Sequence, residues 1–211
     1  MNGRVLSAVF AAAVFLIVPA SALAQQVGIK GGANFASLTP EEDEDPDTSR
    51  RPGLVAGVWF RTAPTTRFSF QAEGLFSEKG VKFNNIPFDV DSVATVDIRV
   101  RYIEIPLLAR VNLTDPRSTT RVFVVGGTTP AFRLSARAKA EVDGEQETRD
   151  ISDDIEPFDL GLAGGLGVEF GRALIEARYT HGLRKINKDD NDPNDRIQNR
   201  VFSLSVGYRF W

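Results

Sequence analysis

The sequence predicts an all-β protein, an antiparallel barrel of eight strands that follow one another up and down in chain order. Apolar and polar residues alternate with a period of two in segment after segment, which is the pattern of strands with two different faces. The connections between these segments alternate between short and long, as in a transmembrane β-barrel. After the first 24 residues, no apolar stretch reaches the roughly 20 residues that a membrane-spanning helix needs. A membrane crossing would therefore use strands.

Residues 1–24 have the three zones of a secretory signal peptide. A basic start at Arg4 precedes an apolar run over residues 5–20 and the small-residue triplet Ala22-Leu23-Ala24. A membrane anchor helix is the alternative, but the run is too short for it. We predict cleavage before Gln25, which leaves residues 25–211 as one barrel domain.

Four segments show the strand alternation clearly: residues 67–78, 158–170, 173–183 and the last segment, which ends at Phe210. Within 158–170, the even positions other than Gly164 carry large apolar residues, whereas the odd positions carry glycine, alanine, aspartate and glutamate. Four further strands are predicted at about 27–37, 53–61, 95–111 and 120–136. The alternation changes phase near Tyr102, which we interpret as a β-bulge.

The connections predict the orientation of the barrel. Those at 62–66, 112–119 and 171–172 are short, whereas those at 38–52, 79–94, 137–157 and 184–198 are long and polar. Outer-membrane barrels place short turns on the periplasmic side and long loops outside the cell. Both termini are therefore predicted to be periplasmic.

Aromatic residues near both ends of the strands predict two membrane-interface belts. The periplasmic belt would comprise Trp59, Phe60, Phe68, Phe70, Phe123, Phe170, Phe210 and Trp211, and the other belt Phe35, Phe76, Phe132, Phe158, Tyr179 and Phe202.

The polar face mixes glycines with charged residues, which favours a lumen over a water-exposed surface. An eight-stranded barrel is wide enough for side chains but too narrow for an aqueous channel. Unpaired buried charges cost several kcal/mol each, so these charges should pair. We predict a lumen charge network of Lys30, Glu73, Glu104, Arg110, Glu169, Glu176, Arg178 and Arg209. A soluble lipocalin-like barrel with an apolar interior is the alternative.

Few residues suggest chemistry. The chain has no cysteine and a single histidine, His181, so thiolate catalysis and histidine metal clusters are excluded within one chain. Asp190, Asp192 and Asn194 have the spacing of half a calcium loop, but the glycine and distal glutamate of that motif are missing, and a solvated loop explains them. We expect no cofactor, no catalytic residue and, from a net charge of −3, no nucleic-acid partner.

The last residues carry a candidate assembly signal for the barrel-assembly machinery. Outer-membrane barrels usually end on an aromatic residue in phase with the apolar face. Here Tyr208 and Phe210 are in phase, and Trp211 is an additional residue out of phase.

Four segments carry a family resemblance: VGIKGGANF at 27–35, EGLFSEKG at 73–80, YIEIPLL at 102–108 and the closing strand. With them, the chain resembles the small outer-membrane β-barrel proteins described as porin-like or PorT-like. The resemblance implies the outer membrane of a Gram-negative cell, with its lipid and lipopolysaccharide as surroundings, and implies little about activity.

We expect a structural or interaction protein whose external loops contact a still unknown protein partner. A narrow porin or transporter for small solutes is one alternative, and a soluble periplasmic lipocalin-like ligand binder is another.

Overall fold

A computed structural model describes residues 25–38, 48–50, 52–62, 65–89, 92–142, 145–184 and 199–210. The predicted signal peptide, the weak metal candidates Asp190, Asp192 and Asn194, and Trp211 lie outside these ranges. Within them the chain forms β1 (Gln25–Leu38), β2 (Thr48–Arg50), β3 (Pro52–Thr62), β4 (Phe68–Asp89), β5 (Ser92–Glu104), β6 (Leu107–Asn112), β7 (Thr120–Val142), β8 (Glu145–Asp150), a 3₁₀ helix (Ser152–Asp154), β9 (Phe158–Phe170), β10 (Ala173–Gly182) and β11 (Asn199–Arg209). No helix in the described ranges has the length and apolar character needed to span a membrane.

Eight barrel strands close into a barrel, as the sequence predicts. β5 and β6 together form one barrel strand, interrupted at Ile105-Pro106. The other seven are β1, β3, β4, β7, β9, β10 and β11. Every barrel strand pairs antiparallel with the next one in the chain. The seam between β11 and β1 runs from the Gly28↔Arg209 pair to the Leu38↔Asn199 pair. The eight-stranded antiparallel up-and-down barrel is therefore confirmed.

The apolar face of the wall points outward. Leu166 is 60% exposed, whereas its neighbours Gly165 and Gly167 face the interior. The same holds around the wall, where the exposed large apolar side chains include Ile29, Val58, Phe70, Leu107, Phe170, Ile175, Leu204 and Val206. An apolar exterior around a charged interior is the arrangement of a membrane barrel. It does not fit a lipocalin-like barrel with an apolar interior.

Two of the predicted long loops are largely strand. β4 continues to Asp89 and pairs with β5, which starts at Ser92, and β7 continues to Val142 and pairs with β8. Residues 92–100 contain several β-branched residues, and these favour continued pairing in water as well as in lipid. We refer to this end of the barrel as the long-connection end. The opposite end, with the turns at 65–67, 113–119 and 171–172, is the short-turn end.

The phase change near Tyr102 has a different cause from the one predicted. The pairing register between β5 and β7 slips by one residue at this point, since Arg101 pairs with Ser135 and Tyr102 with Arg133. The extra residue is Leu134 of β7, so the bulge is on the partner strand. In β5 and β6 the inward phase is unbroken, because Val100, Tyr102, Glu104, Leu108 and Arg110 are all buried.

Candidate functional site in the barrel lumen

Inward-facing charged side chains form three layers along the barrel axis. The short-turn layer contains Arg61, Arg110, Arg121 and Glu169. The central layer contains Lys30, Glu73, Glu176 and Arg178, and the long-connection layer contains Lys79, Glu104 and Asp159. All of these side chains are buried, so their charges interact with little solvent screening.

The central layer is a closed square of two cations and two carboxylates. Lys30 Nζ lies 3.1 Å from Glu73 Oε1 and 2.9 Å from Glu176 Oε1. The Arg178 guanidinium donates to both oxygens of Glu73, at 2.9 and 2.8 Å, and lies 2.5 Å from Glu176 Oε1. Gln71 Nε2 adds a donor to Glu73 at 2.6 Å. Two positive and two negative charges balance in this layer.

The short-turn layer gathers three arginines around one carboxylate. Arg61 Nη1 lies 2.8 Å from Glu169 Oε1, while Arg110 Nη2 and Arg121 Nη2 lie 3.1 and 2.6 Å from Glu169 Oε2. Arg110 also stacks on the Phe123 ring, with its guanidinium carbon 3.5 Å from the ring centroid. Neighbouring neutral groups accept further bonds, since Arg61 donates to Gln26 and Arg110 to Asn112.

The long-connection layer is built on a lysine. Lys79 Nζ lies 2.8 Å from Glu104 Oε1 and 4.8 Å from the centroid of the Tyr102 ring. Asp159 accepts a hydrogen bond from the backbone of Leu160 at 2.8 Å. Arg133 pairs across the strands with Tyr102 and so shares its inward phase.

An apolar cluster lies beyond this layer. It is formed by Val100, Tyr102, Ala131 and Ala136, with Ile98, Ile151 and Ile155 packed against it. Charged layers and the apolar cluster therefore succeed one another along the axis.

Two aromatic rings fill the lumen where glycines leave space. Trp59 is 2% exposed and pairs with Gly28, where a Cβ atom would come within 2.5 Å of the indole ring. Phe123 is fully buried and pairs with Gly167, where a Cβ atom would lie 2.4 Å from the phenyl ring. The prediction that Trp59 and Phe123 belong to the periplasmic belt is therefore wrong. Trp59 lies between apolar residues on both sides, so period-two alternation carried no direction there.

The eight predicted network residues all lie on inward positions, but not in one network. Lys30, Glu73, Glu176 and Arg178 form the central layer, Arg110 and Glu169 belong to the short-turn layer, and Glu104 to the long-connection layer. Arg209 lies apart at the rim, where its Nη2 donates to the Gly171 carbonyl at 3.0 Å.

Sequence reasoning missed the buried lumen charges Arg61, Lys79, Arg121 and Asp159, and it missed the inward phase of Arg133. Asp159 alternates in phase with Glu169, so its signal was present. Lys79 fell in a predicted loop, and Arg121 shares its phase with Phe123, whose direction was misassigned.

The two described residues of the assembly signal face outward. Tyr208 and Phe210 are exposed, and their ring centroids are 6.0 Å apart. The backbone N–H of Phe210 donates to the Val27 carbonyl at 2.9 Å, which ties this end to β1.

The described residues contain no group of three or more histidine, cysteine, aspartate or glutamate side chains placed to hold a metal ion. Among the described residues, the carboxylates Glu73, Glu169 and Glu176 each contact two or more cations of the lumen.

Basic residues face outward where β5 and β7 extend past the apolar wall. Arg99 pairs with Arg137 across the strands, and Asp97 pairs with Lys139. Arg101 lies 3.1 Å from Glu78, and the Arg99 side chain is 39% exposed. We call Arg99, Arg101, Arg137 and Lys139 the basic outer face.

Residues 21–188 match the family model described as outer membrane protein beta-barrel domain. Similar solved structures include OprG from Pseudomonas aeruginosa, at 14% identity over 89% of this chain and 96% of that one, with a TM-score of 0.48. Another is Ail of Yersinia pestis in complex with the heparin analogue sucrose octasulfate, at 14% identity over 89% and 100%, with a TM-score of 0.44. Neisserial surface protein A matches at 12% identity over 88% and 97%, with a TM-score of 0.43. No curated protein matches the chain.

Proposed function

The chain belongs to the outer membrane protein beta-barrel domain family, and from this premise we propose an outer-membrane barrel with a closed lumen and no catalytic activity. Its role is structural or interactive, and the segments at the long-connection end carry that role. Residues 1–24 are its signal peptide and residues 25–211 its barrel domain.

The stacked ion-pair layers of the lumen are the observation that carries the closed-lumen proposal. A solute that crosses the barrel would have to part Lys30 and Arg178 from the two carboxylates of the central layer. Parting a buried ion pair leaves uncompensated charges, which is strongly unfavourable. The Trp59 and Phe123 rings occupy further space in the same lumen.

The lengths of the connections support an orientation with both termini in the periplasm. In this orientation the β4–β5 and β7–β8 hairpins project from the cell surface, with the basic outer face just above the apolar wall. This position suits the phosphates of lipopolysaccharide, which guanidinium groups bind well. A protein partner would contact the hairpins beyond, and Tyr208 and Phe210 would serve the barrel-assembly machinery.

Planar-bilayer recording of the refolded chain tests the closed lumen. We expect no steady conductance from the wild type, because the central layer fills the cross-section. Glu73→Gln serves as the comparison, since it weakens that layer and should give transient openings if the layer is the seal. Steady, reproducible conductance of the wild type would overturn the proposal and favour a narrow porin or transporter.

A binding assay tests the outer face. Vesicles that contain lipopolysaccharide should stabilise the wild type more than an Arg99→Gln/Arg137→Gln variant. Vesicles of zwitterionic phospholipid should stabilise the two proteins equally. Equal stabilisation of both proteins by lipopolysaccharide would remove this partner from the proposal.

A further inference from the structure

We propose that the short-turn layer of the lumen binds a small inorganic oxyanion of the phosphate or sulfate class beside Glu169. This inference goes beyond the proposed function, since it depends on neither the hairpins nor the state of the central layer.

Charge is the first argument. Arg61, Arg110 and Arg121 carry three positive charges, and Glu169 is the one carboxylate that the described residues place against them. The central layer, by contrast, is neutral by itself. Arg209, at the adjacent rim, adds a further positive charge. A buried group of like charges needs a counter-charge, and water supplies none.

Hydrogen-bond stoichiometry is the second argument. Three guanidinium groups offer about fifteen N–H donors, while one carboxylate has about four acceptor sites. Among the described residues, Gln26, Asn112 and the Pro116 carbonyl take a few of the others. The surplus donors therefore point to an acceptor with several oxygens.

Unpartnered buried atoms are the third argument, and they lie on β3, which carries Arg61, and on β4, which pairs with β3 and with the strand of Arg110. Among the described residues, Arg61 Nε, Trp59 Nε1 and Ser69 Oγ find no hydrogen-bond partner, although all three residues are 1–2% exposed. Trp59 and Arg61 are consecutive inward residues of β3, and Ser69 pairs across the strands with Arg110. An unsatisfied buried donor is costly, and an oxyanion would satisfy it.

The geometry favours an oxyanion over a halide. Guanidinium groups bind planar or tetrahedral oxygens through two parallel N–H bonds, which a single spherical ion cannot match. Arg110 stacks on the face of Phe123, with its guanidinium carbon 3.5 Å from the ring centroid, and this contact orients its N–H groups. The Arg121 side chain is 10% exposed, against 2% for Arg61 and 1% for Arg110, so an anion would approach this layer from the water at the short-turn end.

Phosphate and sulfate titrations of the refolded full chain in lipid test this site. The melting temperature is measured at constant ionic strength, with gluconate as the balancing anion. We expect a saturable rise with either oxyanion, and a smaller or absent rise with chloride.

Three variants locate the effect. Arg121→Gln should weaken the apparent affinity for phosphate about tenfold, since a hydrogen bond to a charged group is lost. Glu169→Gln should tighten it, because the competing carboxylate is removed, and refolding of this variant should become dependent on the oxyanion. Arg117→Gln is the matched control, as Arg117 lies exposed in the turn at the same end.

Equal responses of Arg121→Gln and Arg117→Gln would overturn the proposal, because the rise would then be a general salt effect. Equal protection by chloride would overturn the oxyanion preference. If Arg121→Gln fails to refold, Glu169→Gln decides the question alone. Tighter phosphate binding by this variant supports the proposal, and unchanged binding overturns it.

Discussion

Glu73 holds more of the lumen together than any other central-layer residue, because Lys30, Arg178 and Gln71 all donate to it. Its side chain is fully buried. Glu78, its neighbour on the same strand, faces outward and pairs with the half-exposed Arg101. The charges of these two glutamates, five residues apart, should therefore contribute differently to the unfolding free energy.

Glu73→Gln should lower the unfolding free energy by about 3–5 kcal/mol, since it leaves two buried cations facing one carboxylate. Glu78→Gln is the matched control and should cost about 1 kcal/mol or less, because its ion pair is partly solvated. Urea unfolding in lipid vesicles, followed by the loss of the compact gel mobility of the folded barrel, measures both. Similar losses for the two variants would contradict the layer as described.

The inward direction of single residues was predictable where the two faces of a strand differ. Glu169 and Asp159 alternate with large apolar residues, and their burial follows from the pattern. Trp59 was not predictable in this way, since Val58 and Phe60 flank it with apolar side chains. Its position depends on the space above Gly28, which is a cross-strand relation that one sequence does not display.

At the scale of the strands, the environment and not the backbone changes near Tyr102. From this residue toward the short-turn end, the outer side of the barrel is apolar and the inner side carries charges. Toward the long-connection end, the outer side carries Arg99 and Arg101, while Val100 and Tyr102 face inward as members of the apolar cluster. A strand that leaves lipid for water exchanges its polar and apolar faces without any bulge of its own, and this exchange imitates a phase change in the sequence.

We expect the outermost pairs of the β7–β8 hairpin to contribute less to stability than the apolar cluster at its base. Replacement of residues 140–147 by Asn-Gly, a two-residue turn, would join the Lys139↔Thr148 pair directly. We expect this to lower the unfolding free energy by about 1 kcal/mol or less, because the removed strand pairs include the exposed Gln146 and Glu147, which bury little apolar surface. Ile155→Ala should cost about 1–3 kcal/mol, since Ile155 packs on the apolar cluster.

Urea titration of the two variants beside the wild type checks this expectation. A tip deletion that destabilises the barrel more than Ile155→Ala would show that the projecting pairs, and not the apolar cluster, stabilise the long-connection end.

At the scale of the whole molecule, the outward apolar face sets the depth of the barrel in the membrane. Leu166 lies in the middle of the wall, whereas Leu183 follows the end of β10 at the long-connection end. Leu166→Arg should cost about 2–4 kcal/mol and Leu183→Arg about 0–1 kcal/mol, because the cost of a lipid-facing arginine falls from the midplane to the interface. Equilibrium unfolding in vesicles measures both variants, and equal costs would place the membrane elsewhere on the wall.

The barrel as a whole was predictable from the sequence, because a membrane on one side and a lumen on the other impose alternating apolar and polar residues on every barrel strand. Hairpins outside the membrane escape that rule. Their sequences lack the regular alternation of the barrel strands, so residues 79–94 and 137–157 resembled loops although β4, β5, β7 and β8 occupy most of them. The division of the lumen charges into layers also escaped prediction, because it depends on the stagger between strands.

The seam between β1 and β11 has a consequence for the kinetics of folding. It joins segments almost at opposite ends of the described chain, so the wall has a very high contact order, and closure must be a late and slow step. Before closure, β1 and β11 would each present an unpaired edge, a template on which another chain can add. The interval before closure is therefore when the polypeptide is most exposed to aggregation. A chain without β11 would lack one barrel strand of eight, and its remaining sheet would stay open because β10 would have no partner that joins it to β1.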